Sequence, residues 1–359
     1  MTTLHLVVPA GIDNPARPSG GNHFDRRIAT ALAGLGWRIV EHPLPGNWPS
    51  PAPCDAGALP RLLAGLPDGA VVLLDSLVAL ASAVPAATAG RLRLVVLVHM
   101  LLASADDAGP RLARERAALR QAAAVVTTSA WTRELIVSRH GIAHGDILVL
   151  EPGTDRGPVA PGTPGGGVLL CAAAVTANKG HDVLIDALAA VAGLDWSCTF
   201  AGATDMEAGL MEKLRRQASD AGIAGRLHWL GPLTRAELGR SYAASDALVL
   251  ASRQESYGMV VAEAQAHGLP VIASNTGGVP EALGHSSLGT VPGLLVPPGD
   301  ASALAAALRR WLGDAALRHS LRAAALDRRD ILPDWDDAAV ALAGLLSFLA
   351  AARTETVRH

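Results

Sequence analysis

Two glutamates, Glu255 and Glu263, follow an apolar run that ends at Ser252 and have seven residues between them. The run is typical of a buried strand, and a helix is predicted to begin near Gly258. The unpaired amides of Gly258 and Met259 at that helix start would form an anion site suited to a phosphate. Glu255 would then lie in the loop beside whatever group the phosphate carries.

Glu263 is the one charged residue in a helical stretch made mostly of Val, Ala and Met. A carboxylate among small apolar side chains is costly to bury unless it has partners, and the paired hydroxyls of a ribose would satisfy it. The alternative is that Glu263 is exposed to solvent and that Glu255 only caps the helix. We favour the binding role for both glutamates.

Lys179 is one of only two lysines among 30 basic residues. It follows the apolar run Val168–Val175 and precedes a predicted helix, so it lies beyond the carboxyl end of a strand. A compact ammonium at such a place is suited to a diphosphate. An exposed loop lysine is the alternative, and the Glu255 loop in the same domain favours the binding role.

The first half of the chain has two further candidates. His99 follows the apolar run 94–98 at the end of a predicted strand, where a histidine could meet a ligand or could be an ordinary core residue. Gly20, Gly21 and Asn22 lie between the first strand and the first helix, and their amides could approach a phosphate closely. Two glycines in a loop are the weaker of these signals.

The elements that must position these residues alternate between strand-length apolar runs and helix-length stretches, which predicts repeated βαβ units and mainly parallel sheets. Open parallel sheets bind ligands beyond the carboxyl ends of their strands. A segment rich in Gly, Pro and Thr, 153–167, separates two such series. We therefore predict Rossmann-like domains at 1–155 and 165–332, with a final helix at 335–355. The predicted strands are Leu4–Pro9, Trp37–Glu41, Ala70–Asp75, Leu92–His99, Ala124–Thr128, Ile147–Leu150, Val168–Val175, Trp196–Ala201, Arg226–Trp229, Ala247–Ala251, Pro270–Ala273 and Gly293–Val296.

Composition excludes several classes of protein. A net charge of −3 with 18% charged residues gives no electrostatic case for binding nucleic acid. The three scattered cysteines form neither a disulfide framework nor a metal-binding pattern. The N-terminus lacks the features of a signal peptide, so a cytoplasmic location is expected. No strand is followed by G-x-G-x-x-G, which counts against a nicotinamide-dependent oxidoreductase.

Two other patterns have ordinary explanations. Asp334 and Asp336 form an Asp-x-Asp, a metal-binding pattern, but they open a predicted helix, where acids are favourable. We interpret them as capping residues and predict no metal site. A basic helix with Glu115 among its arginines could make peripheral contact with an anionic membrane, although a solvated face is favoured. Its arginines are Arg111, Arg114, Arg116 and Arg120.

Taken in order, these residues resemble glycosyltransferase family 4, whose members have the GT-B fold: α/β, with two Rossmann-like domains facing across a cleft. The resemblance rests on Glu255 and Glu263, on Lys179–Gly180, and on the phrases 277–281 and 293–300. It also includes Gly20–Gly21 and His99, so it covers nearly the whole chain.

The resemblance implies a retaining transferase that moves a sugar from a nucleoside diphosphate sugar to an acceptor that the sequence does not identify. The nucleotide would be UDP or GDP, and UDP is slightly favoured over GDP. No metal or other cofactor would be needed. The first domain, with the final helix crossing back onto it, would bind the acceptor, and the second would bind the donor.

The same resemblance implies a role for each site residue. Glu263 would bind the ribose, Lys179 the diphosphate and Glu255 the hydroxyls of the donor sugar. The amides of Gly258 and Met259 would support the sugar and phosphate, and Gly21 would approach the donor. His99 would reach the transferred sugar.

One position departs from the family pattern. Many relatives have an arginine five residues before the lysine as a second phosphate cation, and in this chain that position is Ala174. Arg253 is close enough in sequence to the Glu255 loop to replace the missing arginine, and we assign Arg253 to donor binding.

Two alternatives to a transferase remain: a nucleotide-sugar-binding protein without transfer, and a sugar epimerase or phosphorylase on the same fold.

Overall fold

The computed structural model describes residues 2–103, 107 and 109–351. Its chain divides into two compact units. The second unit contains Asn14–Gly20 and Thr154–Leu332, and the first contains the rest, so the chain returns to the first unit at Pro333. The division after Gly153 falls at the start of the Gly- and Pro-rich segment.

Each unit contains one six-stranded parallel sheet, ordered β2-β1-β3-β4-β5-β6 in the first and β12-β11-β10-β7-β8-β9 in the second. All twelve predicted strands are present, with ends that differ by up to three residues. One such difference matters for the site, because β4 ends at Val98 and His99 begins the following loop. The strands are β1 (Thr3–Pro9), β2 (Arg38–Leu44), β3 (Val71–Asp75), β4 (Arg93–Val98), β5 (Ala124–Thr127), β6 (Ile147–Val149), β7 (Val168–Ala172), β8 (Ser197–Ala201), β9 (Leu227–Gly231), β10 (Ala247–Leu250), β11 (Val271–Ser274) and β12 (Gly293–Val296).

Helices connect the strands. Four of them, α2, α3, α10 and α12, are not among the helices that the sequence predicts, which are Asn22–Leu35, Arg111–Ala122, Ala130–Arg139, His181–Val191, Glu207–Ala221, Arg235–Ala243, Met259–His267, Ala301–Leu312 and the final helix. Two of these four, α3 and α10, are four and five residues long, too short for an apolar period to be visible. The final predicted helix is observed as α13, and positions 352–355 of that prediction lie outside the described residues. The helices are α1 (Gly20–Gly34), α2 (Ala58–Gly65), α3 (Ser76–Ala79), α4 (Pro110–Gln121), α5 (Ala130–His140), α6 (His181–Ala189), α7 (Leu210–Asp220), α8 (Arg235–Ala243), α9 (Met259–Ala266), α10 (Val279–Leu283), α11 (Ala301–Gly313), α12 (Ala315–Asp330) and α13 (Trp335–Ala351).

Both faces of the second sheet are covered by apolar side chains. Along β7, Leu169 and Cys171 belong to one buried cluster and Leu170 and Ala172 to another. Successive side chains of a strand point to opposite faces, so this alternation places one core on each side of the sheet. Burial on both faces explains why the strands are continuous apolar runs rather than alternating ones.

Helix α4 differs from the prediction in one respect. Arg111, Arg114 and Arg120 are exposed, as expected of a solvated face. Glu115, which the sequence placed among them on that face, is fully buried, and its Oε2 accepts hydrogen bonds from the amides of Leu102 and Ala103 at 2.7 and 3.1 Å. Glu115 therefore anchors the loop that follows His99.

Within the described part of the chain, no helix is both long enough and apolar enough to cross a membrane.

Candidate functional site

The sheet of the second unit has a topological switch point between β7 and β10. From β7 the chain proceeds outward through β8 and β9, and from β10 it proceeds outward in the other direction through β11 and β12. Because β7 and β10 are parallel neighbours, the loops beyond their carboxyl ends must meet at one edge of the sheet. Ligands of open parallel sheets bind at such a point.

The two loops at this switch point are joined by hydrogen bonds. The backbone amide of Arg253 donates to the carbonyl of Asn178 at 2.7 Å. The side-chain amide of Asn178 donates in return to the carbonyl of Gln254 at 3.0 Å. The loop that carries Lys179 and the loop that carries Glu255 are therefore held in a fixed relation.

Two glycines permit close backbone approaches at this edge of the sheet. Gly180 has a φ of +64° and Gly277 a φ of +57°, a conformation that favours glycine. A Cβ on Gly180 would collide with the carbonyl of Ala251, and one on Gly277 would collide with the carbonyl of Glu255. Gly277 thus allows the backbone to pass close beside Glu255.

Lys179 and Glu255 are bonded to each other. The distance from Nζ of Lys179 to Oε1 of Glu255 is 2.5 Å, and the hydroxyl of Ser252 donates to the same oxygen at 2.7 Å. Lys179 is 27% exposed and Glu255 11% exposed, so the pair is partly shielded from water. The structure brings these two predicted residues together at the switch point.

Arg253 lies in the same loop and has a partner of its own. Its two terminal nitrogens are 3.0 and 2.7 Å from the carboxylate oxygens of Asp182, and one of them also donates to the carbonyl of Ala177 at 2.6 Å. This fork stabilises the Lys179 loop. Since Arg253 is used in this way, the structure gives no support to its replacing the cation missing at Ala174, and its donor-binding role stays a prediction.

Glu263 is not the unpartnered carboxylate that the sequence indicated. Arg235 donates to its Oε1 at 2.6 Å, and the hydroxyl of Tyr242 donates to its Oε2 at 2.9 Å. Tyr242 is itself buried and stacks on His267 with ring centroids 5.3 Å apart. The premise that Glu263 has no protein partner is therefore wrong, because α8 supplies both donors, and its role toward a ribose stays a prediction.

Helix α9 begins directly after the Glu255 loop. Its N-cap is Gly258, with a φ of +91°, and its first residue is Met259. No side chain caps this helix start, which leaves its first amides available. Because α9 follows the loop beyond β10, the helix start lies at the same edge of the sheet as Lys179. The predicted anion site at Gly258 and Met259 is compatible with this geometry.

In the first unit, His99 lies against two carboxyl groups that sequence reasoning did not single out. Its Nε2 donates to Oδ1 of Asp25 at 2.8 Å, and a carboxylate oxygen of Asp75 lies within 4.8 Å of the ligand atoms of Asp25 and His99. Asp75 ends β3 just as His99 follows β4, so the strand-end filter that found His99 could also have found Asp75. Asp25 lies inside α1, where no sequence signal marks it.

The three groups change one another's protonation. Burial raises the pKa of Asp75 to about 8, and the negative charge of Asp25 acts in the same direction. Burial lowers the pKa of His99, but Asp25 and then Asp75 more than offset this, and the net pKa is raised. At neutral pH the arrangement therefore favours a protonated Asp75, and it favours the charged form of His99 more than water does.

Gly21 is placed against this histidine. A Cβ on Gly21 would lie 3.1 Å from Cδ2 and 3.2 Å from Cγ of His99. Gly21 thus makes room for the imidazole, which is a packing role that the sequence did not indicate. Its predicted contact with the donor is not tested by this geometry.

Within the described ranges, Asp25, Asp75 and His99 form the one group of three metal-ligand types, with donor atoms within 4.8 Å of one another. His99 and Asp25 are already hydrogen-bonded to each other, and two adjacent buried carboxyl groups favour a shared proton. The Asp-x-Asp opening the last helix has a structural role, because Oδ1 of Asp334 accepts from the amide of Asp337 at 2.9 Å. The capping interpretation of Asp334 is confirmed.

Comparison with known proteins gives two family matches. Residues 9–157 match the family described as Glycosyltransferase Family 4, and residues 162–328 match Glycosyl transferases group 1. A D-inositol 3-phosphate glycosyltransferase of Jonesia denitrificans is 32% identical over 251 residues, 62% of this chain and 57% of the relative. A glycogen synthase of Mycobacterium tuberculosis is 32% identical over 247 residues, 66% of this chain and 56% of the relative. The matched segment spans a little over half the length of these two relatives.

Solved structures with the same fold cover almost the whole chain. The sucrose-phosphate synthase of Thermosynechococcus elongatus superposes with a TM-score of 0.77 at 23% identity and covers 98% of this chain and 100% of its own. The Anabaena protein HepE, solved in complex with UDP and glucose, superposes with a TM-score of 0.75 at 20% identity. The match covers 97% of this chain and 100% of HepE. At these identities the likeness establishes the GT-B fold.

Proposed function

This chain belongs to the glycosyltransferases, with a family 4 domain ahead of a group 1 domain, and on that premise we propose that it transfers a hexose from a nucleoside diphosphate sugar to an acceptor with retention of anomeric configuration. The observation that carries the proposal is the Lys179–Glu255 pair at the switch point of the second sheet. It combines a cation for a diphosphate with a carboxylate for sugar hydroxyls, beside the open start of α9.

The donor is assigned residue by residue to this edge. Lys179 and the first amides of α9 bind the diphosphate, since a helix start and an ammonium both stabilise anionic oxygens. Glu255 accepts hydrogen bonds from hydroxyls of the sugar. Glu263, in the next turn of the same helix, binds the ribose hydroxyls, in place of or beside its bond from Arg235.

The nucleotide we propose is UDP. Support comes from the crystallised relative HepE, which was solved with UDP. GDP is the other candidate. The acceptors in the relatives' names differ from one another, so the acceptor is left to experiment.

The transfer itself is proposed to proceed on one face of the sugar. The bond between C1 of the sugar and the oxygen of the β-phosphate breaks, and a bond from C1 to the acceptor oxygen forms on the same face. The acceptor's proton passes to the departing phosphate oxygen. Lys179 then stabilises the charge of the nucleoside diphosphate, and no metal ion is required in this scheme.

His99 is assigned a hydrogen bond to the transferred sugar, and the cytoplasm is the expected location. Both come from the sequence and remain predictions.

The experiment is a donor panel. UDP-, GDP- and ADP-glucose, and the corresponding galactose, mannose and N-acetylglucosamine donors, are incubated with the protein with and without candidate acceptors, and nucleotide release is measured. We expect acceptor-dependent release with UDP sugars, and a product whose anomeric proton coupling in NMR matches that of the donor. An inverted product would contradict retention, and donor binding without release for any acceptor would favour the binding-protein alternative.

A further inference from the structure

His99 is held in position by residues from two elements of the first unit, α1 and the start of α3. Its Nε2 donates to Asp25 of α1 at 2.8 Å, and Phe24 packs edge-on against it with centroids 5.3 Å apart. Its backbone amide donates to the hydroxyl of Ser76, which follows β3, at 3.2 Å. With the ring so enclosed, its side chain is only 12% exposed.

Two buried carboxyl groups lie next to His99, and their oxygens have too few hydrogen-bond donors. Asp25 and Asp75 are each 1% exposed. Oδ1 of Asp75 accepts from the amide of Leu77 at 2.5 Å, while Oδ2 of each aspartate has no donor within the described part of the chain. Two carboxylates in contact cannot both ionise at low cost, so a proton on one of them supplies the missing hydrogen bond.

This arrangement decides which nitrogen of His99 can meet a ligand. Asp25 binds the Nε2–H, so Nε2 is no longer available. Which nitrogen of a histidine is free is set by the hydrogen bond that the other one makes. The remaining nitrogen, Nδ1, has no bonded partner among the residues that the structure describes.

We propose that Asp25 and Asp75 are positioning residues for His99: Asp25 binds Nε2 and so presents Nδ1 to the ligand, and Asp75 carries the proton that joins the two carboxyls. The inference rests on the proposed function only in naming the transferred sugar as that ligand. The carboxyl–carboxyl–imidazole arrangement itself stands on the geometry of the first unit.

The protonation of the cluster agrees with this assignment. The charged groups that face it are Asp25 from α1, Asp75 from the end of β3 and His99 beyond β4. The pKa of Asp75, raised to about 8 by burial and by Asp25, leaves Asp75 protonated at neutral pH. Above that value two negative charges would lie side by side, and the bond between the carboxyls would be lost.

The test compares Asp25→Asn with Asp75→Asn in the full chain. Asparagine at 75 imitates the protonated acid, because its oxygen can still accept from Leu77 and its amide can donate to Asp25. Asparagine at 25 removes the charge that holds His99. Asp146→Asn, at an exposed position of the same unit, is the matched control.

We expect Asp25→Asn to lower kcat roughly 10- to 100-fold, the scale of a hydrogen bond to a charged group, with KM for the donor little changed. Activity of the parent protein should decline above about pH 8. Asp75→Asn should keep most of its activity at pH 7 and should not show this decline. Equal losses in both variants at pH 7, or an alkaline decline that persists in Asp75→Asn, would overturn the assignment of the proton to Asp75.

A second readout does not depend on transfer activity. NMR of protein labelled at histidine carbons, with His99 assigned through His99→Gln, should show an Nε2-protonated ring and a pKa above the ordinary value of about 6.5. The pKa should fall in Asp25→Asn and stay raised in Asp75→Asn. If the NMR result holds but no donor is turned over, the proposed function fails and the positioning role stands. An unchanged His99 pKa in Asp25→Asn overturns the positioning role. So does metal binding at the cluster, seen as a His99 signal that stoichiometric zinc shifts or stoichiometric manganese broadens.

Discussion

The ammonium of Lys179 lies 2.5 Å from the carboxylate of Glu255, so two residues assigned to different parts of the donor are bonded to each other. A diphosphate that binds Lys179 must therefore share this ammonium with Glu255 or displace it. The two side chains can be separated by substitution, because only one of them is assigned to the phosphates.

We expect Lys179→Ala to weaken UDP binding at least tenfold and to lower turnover, because it removes the cation and leaves a partly buried carboxylate without it. Glu255→Gln should bind UDP as well as the parent or better, with turnover lowered roughly 100-fold. Calorimetric titration with UDP and steady-state kinetics measure both. The control is Lys213→Ala, the other lysine, exposed on α7. Equal loss of UDP affinity in Lys179→Ala and Glu255→Gln would show that Glu255 only holds Lys179 in position.

Replacing Glu263 should reveal whether its carboxylate binds ribose. Glu263→Ala should weaken UDP binding by about 1–3 kcal/mol, the scale of hydrogen bonds to a buried charge. The parent protein should also bind 2′,3′-dideoxy-UDP more weakly than UDP, and Glu263→Ala should bind the two alike. The control is Glu212→Ala, an exposed glutamate of α7. A parent protein that does not discriminate between these nucleotides would leave Glu263 only its bonds to Arg235 and Tyr242.

Gly21→Ala tests the contact with the imidazole. A methyl group there would lie 3.1 Å from His99 Cδ2, so the ring must shift by a few tenths of an ångström and turnover should fall. Gly34→Ala in the same helix meets no atom within 4 Å, and it should raise stability by roughly 0.5–1 kcal/mol without affecting turnover. Unchanged kinetics in both Gly21→Ala and the larger Gly21→Val would show that His99 tolerates displacement.

Stability should depend on pH through Asp75. Its pKa is raised from 3.8 to about 8 in the folded protein, so between these values the folded state holds a proton that the unfolded state has released. The free energy of unfolding contributed by this group therefore falls as pH rises through that window. Urea unfolding of the parent and of Asp75→Asn from pH 5 to 9 should show a shallower fall in the variant. Parallel curves would mean that Asp75 ionises normally.

Chelation tests the proposed independence from metal. Lys179 and the start of α9 are proposed to stabilise the leaving diphosphate, so turnover should survive dialysis against EDTA. The measurement is initial rate before and after dialysis, with manganese and magnesium added back separately. Activity that is abolished by EDTA and restored by one of these ions would require a metal site that we have not assigned.

The sequence alone determined the order and type of most elements. An apolar strand can be recognised from its own residues, because a strand buried on both faces must be apolar along its length. All twelve strands were predicted in this way. The Lys179 and Glu255 loops followed from the same reasoning, since each comes directly after such a strand. Helices α3 and α10 were missed because each has fewer residues than two helical turns.

Only the tertiary structure decided which polar groups are partners. Glu263 lies on an apolar helix in the sequence, and its donors Arg235 and Tyr242 come from α8, more than twenty residues earlier. Asp25 and Asp75 meet only because α1 and the end of β3 converge on His99. A carboxylate's environment depends on which distant donors reach it. Local patterns mark where a charge occurs along the chain, whereas folding determines whether that charge is paired, shares a proton or is free to bind a ligand.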